Sequence, residues 1–375
     1  MVSGVHLTLM IGTPVPLPVP REVLEALASL QVTSAAGDHS GFQLTFTLSK
    51  QSPLHTLFLL AGPSPIPLVR VLIVAIINGI PHVLMDGVMS NHEATSGSDS
   101  GQATLSVTGE DMSRVMDFAD RSGKPYPGMP REARVLEILA RYMALGVVPA
   151  VIPSAFMDVP IPTEHIPQHQ GTDLQYLRAL ASEVGYVFYV EPGPAPGVST
   201  AYWGPEVKVG VPQPALNVDM DAQTNVESLS FSYNADSRTL PVVFIQNKQT
   251  KAPLAVPIPD VSPLSPPLGL VSPAPKAVKL MRDTAKLSAV QALMLGMAEA
   301  ARTSEAVTAS GSLDVLRYGR ALRAGGLVGV RGAGMAFDGL YYVKSVTHTI
   351  KRGEYKQSFS LSRNGLVSTI PRVTP

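Results

Sequence analysis

The C-terminal segment, residues 327–363, constrains the fold more than any other part of the sequence. Its apolar runs predict three short strands, over Leu327–Val330, Tyr341–Ile350 and Tyr355–Leu361. A glycine-rich turn separates the first two strands, and a tight Arg352-Gly353 turn separates the last two. Short strands joined by glycine turns are typical of antiparallel β structure. The sequence therefore predicts an antiparallel sheet in this part of the chain.

The N-terminal third predicts a second set of strands. Residues 6–11 and 42–49 alternate between apolar and polar side chains, which is the period-two pattern of a half-buried strand. Val71–Ile77 is apolar on both faces, so we expect a strand that is covered on both sides. Asn78-Gly79 is a strong hairpin signal, and the chain returns through Val83–Met89. Such strands avoid exposed edges by closing, or nearly closing, into a small barrel.

The middle of the chain changes from strand patterns to helix patterns. Apolar residues recur at helical spacing in Glu132–Leu145, and Gly146 ends this predicted helix. Thr172 or Asp173 is placed to cap a second helix, which ends at Gly185. The sequence therefore predicts two consecutive amphipathic helices.

Shorter segments complete this part of the prediction. Tyr186–Val190 and Ala201–Trp203 predict a hairpin after the second helix. Arg21–Leu30 predicts one helical turn or more, and Ala103–Thr108 predicts the strand that closes the first unit.

A second β unit is predicted to start near Asn225, where apolar residues alternate with serines over 228–233. Residues 251–275 contain eight prolines, so we expect an extended arm without regular ladders. Lys276–Val307 predicts one or two helices, and Leu313–Leu322 predicts a further short helix. The arm and its helices thus interrupt the second β unit.

The composition favours a component of an assembly. Of the 375 residues, 45% are hydrophobic and only 15% are charged, compared with roughly 25% charged in typical soluble domains. Little charge combined with ample apolar surface predicts faces that other subunits cover.

The charge balance and the missing cysteines exclude several classes of function. There are 29 basic and 29 acidic residues, so no basic excess attracts nucleic acid or a membrane surface. The longest unbroken apolar run, Val71–Ile77, is too short to cross a bilayer, and residues 1–16 lack the basic region of a secretory signal. With no cysteine, we expect no disulfides, thiolate metal sites or cysteine nucleophiles. We therefore expect a soluble, unprocessed protein that binds no nucleic acid and does not insert into membranes.

A glycine cluster is the first candidate for hidden chemistry. Gly326, Gly329, Gly332 and Gly334 resemble a phosphate-binding loop in spacing, but such a loop follows a strand and opens a helix. Here the cluster follows a predicted helix and opens strands, so we interpret it as a turn.

Two segments that contain histidine are candidate metal sites. Glu164, His165 and His169 lie within six residues, but neighbouring prolines argue against a helix and no third ligand is evident. We interpret them as solvated loop residues, and Asn91-His92-Glu93 as part of an extended hairpin.

Acidic residues supply the last catalytic candidates. Hydrolysis of a glycosidic bond requires two flanking carboxylates, yet Asp86 lies in a predicted Asp-Gly turn, and Glu110 and Asp111 lie in another predicted turn. No serine-hydrolase elbow motif occurs. We interpret His348 as a core or rim histidine satisfied by the backbone, and Trp203 as a core or subunit-contact residue. The sequence thus predicts no catalytic, cofactor-binding or metal-binding residues.

The closing strands resemble those of the phage late control protein D family, the baseplate hub proteins of contractile tails and related injection machines. In order, they show a glycine-rich lead-in, the motif DG-x-Y-x-V at 338–343, a strand histidine (His348), a turn, and a strand ending in Arg363.

Two further segments resemble the same family in the same order. The run Arg70–Asp117, with NGI at 78–80 and TLSVTGED at 104–111, is similar to the first hub barrel. The motif TD-x-x-Y-L-x-x-L-A-x-E-x-G-Y at 172–186 is similar to the insert of the hub.

The resemblance implies a mainly β fold with α+β insertions: two tail-tube-like antiparallel β-barrels, a helix–helix–hairpin insert and a Pro-rich arm with helices. The expected units are a first barrel (1–118), an α+β insert (119–215), a second barrel (216–250 and 308–375) and the arm with its helices (251–307).

The resemblance also implies a structural role rather than an enzyme. Three copies would form a ring with pseudo-sixfold symmetry that joins a hexameric tail tube, or its initiator protein, to a trimeric spike, with baseplate wedge proteins around it. Because the chain ends soon after the second barrel, we expect the spike to be a separate protein. Assembly is expected in the bacterial cytoplasm, as part of a virion or injection particle. The alternative is a tail-associated binding module or cell-wall hydrolase.

Overall fold

The structure of the chain is a computed structural model that describes residues 5–13, 15–48, 68–96, 103–154, 159–163, 166–246, 252–258, 266–281, 284, 287 and 289–369. The predictions for Glu164, His165 and part of the Pro-rich arm lie outside these residues.

The fold is mainly β, as predicted. The strands are β1 Val5–Gly12, β2 Leu17–Pro18, β3 Leu27–Ala35, β4 Gly41–Leu48, β5 Arg70–Ile77, β6 Ile80–Ser96, β7 Ala103–Asp111, β8 Val147–Val151, β9 Val187–Pro192, β10 Ser199–Gly204, β11 Gln213–Asn217, β12 Ser228–Tyr233, β13 Thr239–Gln246, β14 Pro253–Pro257, β15 Gly269–Val271, β16 Ala277–Met281, β17 Val307–Asp314, β18 Leu327–Arg331, β19 Gly339–Lys351, β20 Glu354–Arg363 and β21 Leu366–Ser368. The α-helices are α1 Arg21–Ala26, α2 Arg131–Ala140, α3 Asp173–Glu183, α4 Ala289–Thr303 and α5 Val315–Tyr318, and 3-10 turns cover Met112–Asp117, Met143–Leu145 and Asp221–Gln223.

Thirteen strands form one continuous sheet. Its order is β12-β17-β20-β19-β3-β4-β7-β6-β5-β1-β2, with β18 attached to β19 and β11 attached to β18. We call β1–β7 the N-terminal strand set, and β11, β12 and β17–β20 the C-terminal strand set. Among the described residues, the strand order includes no pairing that closes either set into a ring.

Strand β19 joins the two sets because one of its edges is divided between two partners. Residues 339–342 pair with β18, and residues 345–351 pair with β3. A bulge at Lys344 separates the two stretches, and the Lys344 carbonyl accepts a hydrogen bond from the Ala36 N–H at 2.8 Å. A bulge bends a strand and changes its pairing, so β19 can belong to both sets.

Alternating apolar residues from both sets form one shared core. Val32, Leu44 and Val107 from the N-terminal set and Val346 and Phe359 from the C-terminal set belong to the same buried cluster. The two sets therefore share a single hydrophobic interior.

Strand β5 is covered on both faces, as its composition predicts. Val71 and Ile73 face the shared core, and Leu72 on the opposite face is also buried. The turn to β6 is made by Asn78 and Gly79, with φ of 51° and 80°. Both residues have the left-handed backbone conformation that a two-residue type I′ turn requires.

The insert has its own core. Helices α2 and α3 pack with the sheet β8-β10-β9 around a second buried cluster that contains Trp203. Thr172 caps α3 through a capping box with Gln175, which confirms one of the two predicted caps. Gly146 ends the segment after α2 with φ of 82°, and a Cβ there would lie 2.2 Å from the Gly197 carbonyl oxygen.

The arm differs from its prediction. Strands β14 and β16 pair with the two edges of β13, so the proline-rich segment does form a short ladder. Pro253 and Pro257 occupy the ends of an edge strand, where a missing N–H is tolerated. The helix predicted from residue 276 begins only at Ala289, because β16 precedes it.

The segment Arg21–Leu30 also differs from its prediction. The helix α1 ends at Ala26, and the chain then enters β3. Alternation of Leu30 and Val32 into the core overrides the helix-forming residues before them.

Candidate functional site

The sheet face that points away from the shared core carries neutral polar side chains across seven neighbouring strands. Because side chains alternate along a strand, each core-facing residue of β12, β17, β20, β19, β3, β4 and β7 leaves its neighbours on this opposite face. We call this surface the hydroxyl face. It comprises Gln31, Thr33, Gln43, Thr45, Thr47, Thr104, Ser106, Thr108, Ser228, Ser230, Ser232, Thr308, Ser310, Ser312, Ser345, Thr347, Thr349, Ser358 and Ser360.

Side chains of the hydroxyl face bond to one another across the strands. The pairs are Thr33–Thr347 at 3.1 Å, Ser345–Ser360 at 2.7 Å, Ser228–Ser312 at 2.9 Å, Ser230–Ser310 at 3.0 Å and Gln43–Ser106 at 3.1 Å. Some of these side chains thus bond to a neighbouring strand and have fewer donors and acceptors left for other molecules.

Apart from Lys344 at the bulge of β19, which pairs with Glu305 at 2.6 Å, the charged residues of these seven strands lie toward the rims of the hydroxyl face. Asp314, Lys351, Glu354 and Lys356 lie where β17 ends, β19 ends and β20 begins, and Glu110 lies near the end of β7. Seven strands spaced about 4.8 Å apart span roughly 29 Å. The result is a broad, hydrophilic and uncharged surface.

The sheet ends in an exposed edge strand, β12. Ser228, Ser230 and Ser232 are exposed, and no strand among the described residues pairs with the outer edge of β12. The Asn234 N–H donates to the Ala306 carbonyl at 2.8 Å, so alternation directs the N–H of Tyr233 away from β17. This edge offers free backbone groups to another strand.

The opposite end of the sheet is only partly covered. The two-residue strand β2 pairs with Met10 and Ile11 of β1. The rest of the outer edge of β1 has no strand partner in the described part of the chain. The sheet thus presents a pairing edge at each end.

A buried ion pair attaches the insert to the N-terminal set. The Arg70 guanidinium donates to both Asp86 carboxylate oxygens, at 2.7 and 2.6 Å, and to the Gly197 carbonyl at 2.9 Å. The Ser199 hydroxyl donates to Asp86 at 3.1 Å. Asp86 lies inside β6 rather than in a turn, so the turn interpretation was wrong.

Glu110 and Asp111 are the last two residues of strand β7 and pair with its neighbours, so the interpretation that they lie in a turn was also wrong. The Asp111 carboxylate accepts from the N–H groups of Ser40 at 2.7 Å and Ser113 at 2.8 Å. Burial nevertheless raises the pKa of Asp111. Because Asp86 and Asp111 are both buried with their own partners, they do not form an open pair of catalytic carboxylates.

His169 is buried, contrary to the prediction of a solvated loop residue. Its Nδ1 lies 3.0 Å from the Tyr126 hydroxyl, and its Nε2 lies 3.4 Å from Asp173. Asp173 also contacts Arg121, Arg141 and the Tyr142 hydroxyl. Burial lowers the pKa of His169. No group of three metal-ligating side chains is found among the described residues.

The remaining candidates fall mainly as predicted. Gly332 and Gly334 have φ of 85° and 91° in the turn between β18 and β19, whereas Gly329 lies within β18. Asn91-His92-Glu93 lies in the long β6–β7 hairpin. Trp203 is fully buried, with its ring 5.0 Å from that of Tyr186.

His348 is buried as predicted, but side chains rather than the backbone satisfy it. Its Nδ1 lies 2.8 Å from the Tyr355 hydroxyl, and the Gln357 amide lies 3.3 Å from the same atom. Burial lowers the pKa of His348 to about 3. The ring therefore stays neutral.

The hydroxyl face and the Arg70–Asp86 pair were not predicted from the sequence. The signal for the face was present as serine, threonine and glutamine at every second position of seven predicted or observed strands. The ion pair carries no such local signal, because its two residues lie on neighbouring strands.

Comparisons with known proteins give the fold. No protein-family model matches the sequence, and no curated protein matches it. Among solved structures, the tail protein of Neisseria meningitidis MC58 is 14% identical, with a TM-score of 0.63 over 97% of this chain and 98% of that one. The 43 kDa tail protein of prophage MuSo2 from Shewanella oneidensis is 13% identical, with a TM-score of 0.59 over 96% and 98%. This chain has the fold of phage tail proteins.

The same fold occurs in a chain of a second kind of complex. In the Francisella PdpA-VgrG complex, a chain 9% identical to this one has a TM-score of 0.61, over 100% of this chain and 55% of that one. The resemblance found in the sequence is thus confirmed at the level of the fold. No helix in the described residues is long and apolar enough to span a membrane.

Proposed function

We propose that the protein is the baseplate hub of a phage tail or contractile injection system. Three copies form a ring with pseudo-sixfold symmetry that joins a hexameric tail tube to a trimeric spike. The observation that carries the proposal is the continuous sheet, which unites two strand sets and leaves a pairing edge at each end.

The two edges support a ring rather than a two-fold dimer. Pairing of β12 in one copy with β1 in the next is a head-to-tail contact between different surfaces. Such contacts close into rings when the rotation between copies allows it. Two strand sets in each of three copies would then present six related units to the tube.

The hydroxyl face supports a channel wall. In a ring built edge to edge, one face of every sheet points inward, and we propose that it is the hydroxyl face. A wall without charge neither traps nor repels a charged polymer, because attraction to phosphates comes from cationic side chains. Cargo of either sign would pass without strong adsorption.

The proposal includes the unit boundaries and partners. The chain would divide into the first barrel (1–118), the insert (119–215), the second barrel (216–250 and 308–375) and the arm (251–307). The tail tube, the spike and the wedge proteins would be its partners, with no enzymatic role, and assembly would take place in the bacterial cytoplasm.

Native mass spectrometry with negative-stain imaging tests the ring. We expect a species of about 119 kDa, three times the 39.7 kDa chain, with a central channel. A chain that stays monomeric, even with its tube and spike partners added, would contradict the proposal.

A substitution in the closing strand is a poor test of assembly. Phe359 in β20 is only 4% exposed and belongs to the shared core. A carboxylate there would unfold the chain, because burying an unpaired charge is costly. Substitutions at the edge strand β12 separate assembly from folding.

A further inference from the structure

A cavity of about 240 Å³ lies where the two strand sets meet the insert. Ser34 and His348 line it from the two joined strands, His82 from the β5–β6 hairpin, Glu191 from the insert, and Arg323 from the segment before β18. A single water requires roughly 10–15 Å³, so the cavity has room for an organic ligand.

His82, one of the residues that line the cavity, has a ring nitrogen without a hydrogen-bond partner. The ring is 8% exposed, and its Nε2 is buried without a hydrogen-bond partner. Its Nδ1 lies 3.4 Å from an Arg323 nitrogen. A guanidinium can only donate, so Nδ1 accepts and the proton of the neutral ring lies on Nε2.

The surrounding charges keep this ring neutral. Burial, followed by the nearby Arg323 and Arg320, lowers the pKa of His82. The Nε2–H is therefore a buried donor that needs an acceptor, and leaving such a donor unpaired is unfavourable.

Charges around the cavity favour an anionic acceptor. Arg323 is held in place by Gln213, whose amide exchanges two backbone hydrogen bonds with it, each at 2.9 Å. Glu191 also lines the cavity; burial raises its pKa, and the nearby Arg323 opposes that shift. His348 lies on the cavity wall but is bound to Tyr355.

We propose that this cavity binds a carboxylate, which accepts hydrogen bonds from His82 Nε2 and the Arg323 guanidinium. The carboxylate belongs either to a free small acid or to an acidic side chain that a partner protein inserts. A planar guanidinium suits carboxylate oxygens because it donates through two parallel N–H groups. The site is independent of the ring proposed above, since every group that forms it lies in one chain.

Calorimetric titration of the purified full-length chain tests the site. The probes are succinate, acetate and the blocked peptide acetyl-Ala-Glu-Ala-amide, with chloride at equal ionic strength as the reference. We expect Arg323→Gln to weaken binding at least tenfold. Arg320→Gln is the matched control, because it removes a charge near His82 without removing a group that lines the cavity.

The outcomes separate the two sources of the carboxylate. Binding of succinate or acetate, lost in Arg323→Gln and kept in Arg320→Gln, supports a free acid. Binding of the peptide alone, with the same dependence on Arg323, supports an inserted side chain. If circular dichroism shows that Arg323→Gln is misfolded, Arg323→Lys replaces it. We then expect several-fold weaker binding, because lysine lacks the two parallel N–H groups of the guanidinium. No binding by any probe, or binding that is equal in both variants, overturns the proposal.

Discussion

Strands β5 and β12 lie in the same sheet, but their environments are opposite. Strand β5 is apolar on both faces and is buried on both, with Arg70 on its outer face bound beneath the insert. Strand β12 alternates between serine and apolar residues, and its outer face and outer edge are exposed. The comparison teaches that this chain covers β5 with its own insert, whereas no strand of its described part covers the outer edge of β12.

The largest expected effect comes from breaking the contact that covers β5. Arg70→Met leaves the Asp86 carboxylate buried without its cation, which costs about 3–5 kcal/mol in the free energy of unfolding. Urea denaturation followed by circular dichroism measures this cost. The double variant Arg70→Met/Asp86→Leu removes both charges and recovers most of the loss.

A surface ion pair provides the control for Arg70. Arg21 and Glu25 are 2.7 Å apart, with side chains 89% and 59% exposed, so Arg21→Met changes stability by less than about 1 kcal/mol. Similar losses for Arg70→Met and Arg21→Met would mean that the insert does not depend on the buried pair.

His348, in the strand that joins the two sets, is expected to make the stability of the fold sensitive to acid. The pKa of His348 is about 3 in the folded chain and 6.5 in its ordinary environment, so the unfolded state binds the extra proton between these values. Stability is full above pH 6.5 and falls as the pH decreases, by up to about 1.4 kcal/mol per pH unit. Urea denaturation from pH 7 to pH 4 measures the slope.

A substitution isolates the contribution of His348. His348→Gln retains a polar group beside Tyr355 but cannot titrate, so its stability should fall less steeply with acid. His82 and His169 also have lowered pKa values, so they contribute to the slope that remains. An unchanged slope in His348→Gln would assign the acid sensitivity to other groups.

Proline substitutions at two neighbouring positions of β12 sharpen the contrast between the edge and the interior of the sheet. The N–H of Ser232 points toward β17, so Ser232→Pro removes a ladder bond and costs about 1–3 kcal/mol. The N–H of Tyr233 points outward, so Tyr233→Pro costs less than about 1 kcal/mol but blocks pairing with another strand. Denaturation and native mass are measured for both variants.

The contrast between the two proline variants decides the role of the edge. We expect Tyr233→Pro to remain folded and monomeric. A trimer formed by this variant would show that the ring closes without β12.

The sequence predicted the local features of the fold and missed the long-range ones. Period-two alternation located most strands of both sets, and Asn78-Gly79 located their sharpest hairpin, because these signals lie within a few residues. The helix predicted over Arg21–Leu30 wrongly includes the first four residues of β3, whose pairing with β19 joins residues more than 300 positions apart. Asp86 was placed in a turn for the same reason, because its role depends on Arg70 and on Ser199 in the insert.

The smallest expected effect tests how the insert is attached without touching β12. The Thr172 hydroxyl accepts from the Gln175 N–H at 3.3 Å and donates to Asp117 at 2.6 Å, which links α3 to the segment after β7. Thr172→Ala removes both bonds and lowers the free energy of unfolding by about 1 kcal/mol, whereas Thr172→Ser retains the hydroxyl and should change it little. Because the edge of β12 is intact in both variants, native mass should show the same oligomer as the unmodified chain. A loss of trimer in Thr172→Ala alone would mean that the insert, and not only the sheet edge, contributes to the contact between copies.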